Sequence, residues 1–142
     1  MTIKAILQSR DHDVVTISGD DLIADAVAVL AERRIGALPV VDGGSVRGIF
    51  SERDVIYGLA RDGAAVLNKR VADVMITPAI TVAPGAGAME SLSLMTMRRI
   101  RHLPVVEGDQ LIGFVSIGDI VKYRIDRIEA EAASLREYIQ SS

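Results

Sequence analysis

The 142-residue sequence predicts a mixed α+β fold made of two tandem strand-helix-strand-strand-helix units and extended by a long C-terminal helix. Three observations predict it. The chain repeats itself at a constant offset of 65 residues, the apolar period switches from helical to strand-like at matching points of both copies, and nothing after Gly118 breaks a helix.

The segment Val14 to Leu59 aligns with Ala79 to Arg124 without a gap. Twelve positions are identical: Thr16/Thr81, Arg33/Arg98, Arg34/Arg99, Ile35/Ile100, Leu38/Leu103, Pro39/Pro104, Val40/Val105, Val41/Val106, Gly43/Gly108, Gly48/Gly113, Ser51/Ser116 and Asp54/Asp119. Most of the others exchange one aliphatic side chain for another.

Each copy opens on a short expected strand, Val15 to Ile17 in the first. Ser18-Gly19-Asp20-Asp21 follows, with the small and acidic residues that suit a turn and a helix N-cap. Ile23, Val27 and Leu30 then recur at spacings of four and three, which gives a helix one apolar face and leaves Asp25, Glu32 and Arg33 to water. In the second copy Pro84 suits an early helical turn, and Ala88, Leu92 and Met95 form the buried stripe. After Ile35 the pattern becomes Leu38-Pro39-Val40-Val41, Asp42-Gly43-Gly44, then Val46 to Phe50. That is a hairpin, with Glu107-Gly108-Asp109 filling the same slot in the second copy. Pro39 and Pro104 cannot donate to a ladder, which places them at a strand start or a sheet edge. A second helix opens at Ser51 and at Ser116.

Units of this size are marginal as independent cores, so the two copies are expected to pack face to face. The boundaries read as 1–70 for the first repeat with its connector (core 14–59), 71–126 for the second (core 79–124), and 118–142 for the extended helix. The connector from Ala60 to Met75, broken at Asp62-Gly63, is too short and too apolar for a flexible linker, and Val71 to Met75 leads into the second copy. Along the last helix Val121, Ile125, Ile128, Ala132, Leu135 and Ile139 step by four, three, four, three and four. Such a seam packs either on its own domain or on a second chain, and a homodimer is the expectation.

Composition removes several function classes. About half the residues are apolar (49%) and a quarter are charged (25%), which excludes disorder and low complexity. A net charge of −3 supplies no field for phosphate backbones, so nucleic acid is disfavoured as a partner. The absence of Cys removes thiolate zinc sites, disulfides and thiol nucleophiles and fits a reducing compartment. Met1 to Arg10 contain no apolar signal core, and no apolar run approaches the roughly 18 to 20 residues of a membrane span. A cytoplasmic protein with no membrane association is expected. Catalysis would need an activated nucleophile, a metal cage or a paired acid and base. Only two histidines are present, His12 and His102, far apart in sequence, and no Walker-type or dinucleotide fingerprint occurs. The sequence reads as a non-enzyme.

The chemistry concentrates in Gly48-Ile49-Phe50-Ser51-Glu52-Arg53-Asp54 and Gly113-Phe114-Val115-Ser116-Ile117-Gly118-Asp119, which share Gly-x-x-Ser-x-x-Asp where a strand turns into a helix. Ser-x-x-Asp at a helix start is the pattern of a capping box. The same carboxylate can accept two hydroxyl hydrogens from a ribose diol, and free amide hydrogens at a helix N-terminus attract anions. The two roles are compatible.

The doubled order of Thr16-Ile17, Ile35 to Val41 with its Leu-Pro-Val-Val, and Gly-Ile-Phe-Ser-Glu-Arg-Asp resembles the tandem CBS (cystathionine-beta-synthase) domain pair, or Bateman module. The resemblance covers Val14 to Arg124. It implies two CBS-type repeats packed by pseudo-twofold symmetry, with two clefts that bind adenosine compounds and regulate a partner. AMP is the foremost expected ligand, with ADP, ATP and NAD(H) as alternatives, and an accompanying metal is left open.

Carried over residue by residue, the resemblance implies that Asp54 and Asp119 hold ribose hydroxyls and that Ser51 and Ser116 touch phosphate or ribose. Thr16 and Thr81, with Ile17 and Val82, would face adenine. Gly48 and Gly113 precede the motif where backbone can approach a ligand, and Pro104 is a further candidate ligand-site residue. The two residues before Leu-Pro-Val often supply phosphate-binding cations in this family. They are Arg101 and His102 in the second copy but Gly36 and Ala37 in the first, so the clefts are expected to be unequal. Arg53 beside Asp54 has Gly118 as its counterpart, a further inequality. Arg33-Arg34 and Arg98-Arg99 read as cations complementing helix C-termini. For Arg101 and His102 the alternative is a solvated strand edge. For the whole chain it is a ligand-free dimeric interaction scaffold. The regulated protein would be another chain, whose identity the sequence does not give.

Overall fold

The computed structural model describes residues 1–10 and 13–141, so His12 lies outside the described residues. In chain order the elements are α1 (Ile3–Gln8), α2 (Ile23–Arg33), β1 (Ala37–Asp42), β2 (Ser45–Ser51) and α3 (Glu52–Asp62). Two 3-10 turns follow (Gly63–Asn68 and Val71–Asp73), then α4 (Ala88–Arg98), β3 (His102–Glu107), β4 (Gln110–Ser116) and α5 (Ile117–Ser141). The strands form one antiparallel sheet in the order β1-β2-β4-β3, so the strands carrying Pro39 and Pro104 lie at its edges.

The duplication extends to the register. Ala37 faces Ser51 and Leu38 faces Phe50, as His102 faces Ser116 and Leu103 faces Val115, and each hairpin shifts register at the same place, Val40/Val41 and Val105/Val106. The first turn is Gly43-Gly44, with φ of 59° and 81°, a pair of positive values that residues carrying a β-carbon resist. The two hairpins meet through one residue pair, Ser45 with Gln110.

The strand expected at Val15 to Ile17 is reduced to a single bridge. Ile17 donates its N–H to the Pro39 carbonyl (3.2 Å) and accepts from Val41 (2.8 Å), and Val82 repeats this with Pro104 (3.0 Å) and Val106 (2.9 Å). The turn at Ser18 to Asp21 follows at once and leaves no length for a ladder. That turn also stops short of the helix. The cap residue of α2 is Leu22, which makes no side-chain cap bond, and the Asp21 carboxylate instead accepts from the Ser18 N–H at 3.0 Å. On α2 the buried residues are Ile23, Ala26 and Leu30, and on α4 they are Ala88, Ser91 and Met95, close to the expected stripes.

Two cores result, and each borrows from outside its own repeat. The first gathers Ile23, Leu30, Leu38, Val40 and Phe50 with Val66 and Val71 of the connector. The second gathers Ala88, Met95, Leu103, Val105, Val115 and Ile120 with Ile3 and Ile6 of α1. Backbone bonds fix both loans. Ile23 donates to Lys69 (2.9 Å) and Val71 to Asp21 (2.8 Å), while Ile3 donates to Ala86 (2.9 Å) and Ala88 to Met1 (3.1 Å). The sequence presented Val71 to Met75 as a lead into the second copy; the chain first uses it to seal the first core.

Gly48 permits the closest of these approaches. Ile49 and Ile76 exchange backbone hydrogen bonds of 3.0 and 2.9 Å, and a β-carbon on Gly48 would lie 2.5 Å from the Ile76 carbonyl oxygen. Backbone cannot yield as a flexible side chain would. Gly48→Ala is therefore expected to lower unfolding free energy by about 1 to 3 kcal/mol in urea denaturation, whereas Gly85→Ala, where the β-carbon meets open space, should change it by less than about 0.5 kcal/mol.

Candidate functional site

Two cavities open where the repeats meet, each built around the carboxylate at the start of a helix that follows a hairpin. The first, of about 230 Å³, combines Gly36, Ala37, Ile49, Ser51, Glu52, Arg53, Asp54 and Tyr57 of the first repeat with Ile76, Pro78, Ala79, Ile80, Arg99, Ile100, Arg101 and His102. The second, of about 310 Å³, joins Ser116, Asp119, Phe114 and His102 to Arg10, Asp13, Val14, Val15, Ile35, Gly36 and Ala37. Offset by 65 residues, Ala79-Ile80 and Val14-Val15 play the same part opposite the carboxylates.

Ser51 caps α3 in a reciprocal box, with its N–H donating to the Asp54 carboxylate at 2.8 Å and its hydroxyl at 3.2 Å. Ser116 does the same for α5, donating its N–H to Asp119 at 2.8 Å and accepting the Asp119 N–H at 3.0 Å. Both carboxylates are thereby held at the cavity wall with lone pairs remaining. Capping and presentation to a ligand are one arrangement.

The two cavities differ in charge. Three arginines, Arg53, Arg99 and Arg101, face two carboxylates, Glu52 and Asp54, in the first. In the second a single arginine, Arg10, faces Asp13 and Asp119. Arg10 forms an ion pair with Asp119 and donates to the Phe114 carbonyl, so the carboxylate of that cavity is paired from within the chain. Burial raises the pKa of Asp54, outweighing the Ser51 hydrogen bonds and the nearby Arg53 charge. Burial would raise that of Asp119 too, but the Ser116 N–H and the hydrogen bond and charge of Arg10 overcome it, and Asp119 is held below the usual carboxylate range. His102 stacks on Phe114 with ring centres 5.2 Å apart. Burial keeps its pKa below the ordinary histidine value against the pull of Asp119, which favours the neutral ring.

Among the residues singled out from sequence, Ser51, Arg53, Asp54, Arg101 and His102 line the first cavity, and Ser116, Asp119 and again His102 line the second. The cations of the second copy thus meet the carboxylate of the first. Thr16, Ile17, Thr81, Val82, Gly48, Pro104 and Gly113 line neither. Ile17 is core, Val82 is bound to the edge of β3, and Thr16 and Thr81 are exposed. Gly48 admits Ile76, and Gly113 admits the Leu7 side chain, which a β-carbon would meet at 2.6 Å.

Sequence reading missed Arg10 and took Arg99 only as a helix-end charge. Arg99 ends α4 in the left-handed conformation with φ of 56°, which a non-glycine residue adopts at a cost, and there it reaches the cavity. A signal for Arg10 exists. Leu7 and Met75 pack on equivalent glycines, but ten residues lead from Leu7 to Ile17 and only seven from Met75 to Val82, and Arg10 lies in the longer path.

Among the described residues no group of three or more His, Asp or Glu side chains is placed to hold a metal ion, and no helix is long and apolar enough to cross a membrane. The pKa directions carry a test. Asp119 contributes stability that is present above the usual aspartate range and lost as pH falls through its depressed pKa. Asp54 has the opposite sign: its ionisation in the folded state opposes stability as pH rises from the unfolded to the raised folded pKa, and the effect is absent at lower pH. Carboxyl carbon-13 NMR titration should find Asp54 titrating above Asp119, and Arg10→Ala should move Asp119 upward while leaving Asp54 in place.

The CBS domain family model matches the chain twice, over residues 3–61 and 71–126. The mitochondrial CBS domain-containing protein CBSX3 of Arabidopsis thaliana is 34% identical over 98% of this chain and 72% of its own length. The crystal structure of the CBS-domain containing protein ATU1752 from Agrobacterium tumefaciens superposes with a TM-score of 0.83 at 38% identity, covering 87% of this chain and 99% of that one. The CBS domain pair of protein MJ0100, solved in complex with 5′-methylthioadenosine and S-adenosyl-L-methionine, shares the fold with a TM-score of 0.78 at 23% identity, over 89% of this chain and 98% of that one. Two matched repeats, a common register and paired carboxylate-mouthed cavities together make this chain a member of the CBS domain family.

Proposed function

We propose that this protein is a non-catalytic regulatory module that takes an adenine nucleotide in the first cavity and signals the occupancy to a separate protein. The observation that carries the reading is the composition of that cavity: three arginines and a capped carboxylate around an apolar floor of Ile49, Ile76, Ile80 and Ile100. Arginine forks suit phosphate oxygens, a carboxylate suits a ribose diol, and aliphatic walls suit a base. AMP fits this division of labour with the fewest demands, and ADP, ATP and NAD(H) are the competing ligands. Asp54 would accept ribose hydroxyl hydrogens. Arg101 and Arg53 would meet phosphate, and neutral His102 would add a single donor. The second cavity, with its carboxylate already paired to Arg10, would remain closed to anions.

A second reading is a ligand-free interaction scaffold. It is favoured by the internal satisfaction of both capping boxes, which need no ligand to stabilise the helices they start.

Isothermal titration against adenosine, AMP, ADP, ATP and NAD(H) separates the two. One binding event is expected, weakened roughly 10- to 100-fold by Asp54→Ala for every adenosine ligand, with Arg101→Ala weakening the phosphorylated ligands but not adenosine. Arg10→Ala should add a second event. No heat with any ligand at millimolar concentration would return the protein to the scaffold reading.

A further inference from the structure

The last helix leaves the body of the molecule. Ile120 is buried and Tyr123 packs on the second core, but every described residue from Arg124 to Ser141 is exposed. That is 18 residues, about 27 Å of helix. A solvated helix of this length is marginal by itself, and this one carries an apolar stripe: Val121, Ile125, Ile128 and Leu135 are 42, 50, 48 and 60% exposed, and Ala132 completes the spacing.

We propose that this stripe is covered by the same helix of a second copy, in a parallel, in-register two-stranded coiled coil. With Val121, Ile128 and Leu135 at the d positions of a heptad and Ile125 and Ala132 at the a positions, the flanking e positions hold Lys122, Glu129 and Arg136, and the g positions hold Arg124 and Glu131. In a parallel pair each g residue meets the e residue of the next heptad on the partner helix. Arg124 then meets Glu129 and Glu131 meets Arg136, and twofold symmetry makes four attractive pairs. An antiparallel pair overlapping over the same stretch would instead set Glu129 against Glu129, Glu131 against Glu131 and Lys122 against Arg136. All of these repel, so the charges select one orientation.

The body permits it. Ile120 and Tyr123, which anchor α5 to the second core, fall at the outer c and f positions, so each body lies on the outer flank and the seam faces away from it. Beyond Gly118, in its first turn, the helix has no Gly or Pro to break the seam.

The absence of native cysteine makes single-cysteine probes unambiguous. Under mild oxidation Leu135→Cys should form a covalent dimer, and Ser134→Cys, at an outer position, should not. Light scattering should find the double variant Glu129→Arg/Glu131→Arg dissociating at roughly tenfold or more higher concentration than the parent, with Arg124→Glu/Arg136→Glu added to it restoring the dimer. Failure of Leu135→Cys to couple to itself, or efficient coupling only between Leu135→Cys and Ile125→Cys chains, would overturn the parallel pairing. So would a dimer indifferent to the charge reversal. Nucleotide binding is not involved in any of these readings.

Discussion

Each half of this chain closes its core with side chains that lie outside the duplicated segment. Val66 and Val71 seal the first half and Ile3 and Ile6 the second, all with essentially no exposure. A repeat of this size cannot bury enough apolar surface alone, and each half gains two fully buried side chains from outside the duplicated segment. The loan also determines where the cavities lie. Because the chain must travel from the donated turn to the inner bridge at Ile17 or Val82, it passes over the wall opposite a helix-start carboxylate, and the residues on that passage become cavity lining.

Symmetry of backbone therefore coexists with inequality of chemistry. The hairpins pair in the same register, and in each capping box the serine N–H meets the carboxylate at 2.8 Å. What separates the cavities is a handful of side chains on the two passages and at the two helix ends: Pro78 against Arg10, Arg101 and His102 against Gly36 and Ala37, Arg53 against Gly118. The result is one cavity with surplus positive charge and an unpaired carboxylate, and another whose carboxylate is already neutralised by its own chain.

The fold was legible from sequence because the duplication tests every assignment twice. A hairpin at Gly43-Gly44 is a reasonable reading, and its recurrence at Gly108-Asp109 after the same number of residues makes it a firm one. Ser51 and Asp54 were found by the same means, Arg101 from the resemblance where the copies differ, and the three line one cavity. The donated turns escaped because they align at a different offset from the rest, so that α1 has no partner in a comparison that starts at Val14. The roles of Thr16 and Thr81 were read from resemblance and those of Gly48 and Gly113 from their place before the Ser-x-x-Asp motif, and locally the backbone uses the two glycines to admit Ile76 and Leu7. Arg10 escaped for a different reason: a lone cation in a polar stretch has no periodicity, and only the unequal length of the two passages singles it out.

Although the four strands share one sheet, its middle is thin, since Ser45 and Gln110 are the whole of the pairing between β2 and β4 while each hairpin is zipped over six residue pairs. A joint of that kind swings more readily than the pieces it connects. A ligand seated as proposed, against Asp54 on one side and Arg101 on the other, would bridge the two halves across it. Since α5 is rooted in the second half at Ile120, any swing at the joint would be magnified at the far tip, as along the pointer of a lever.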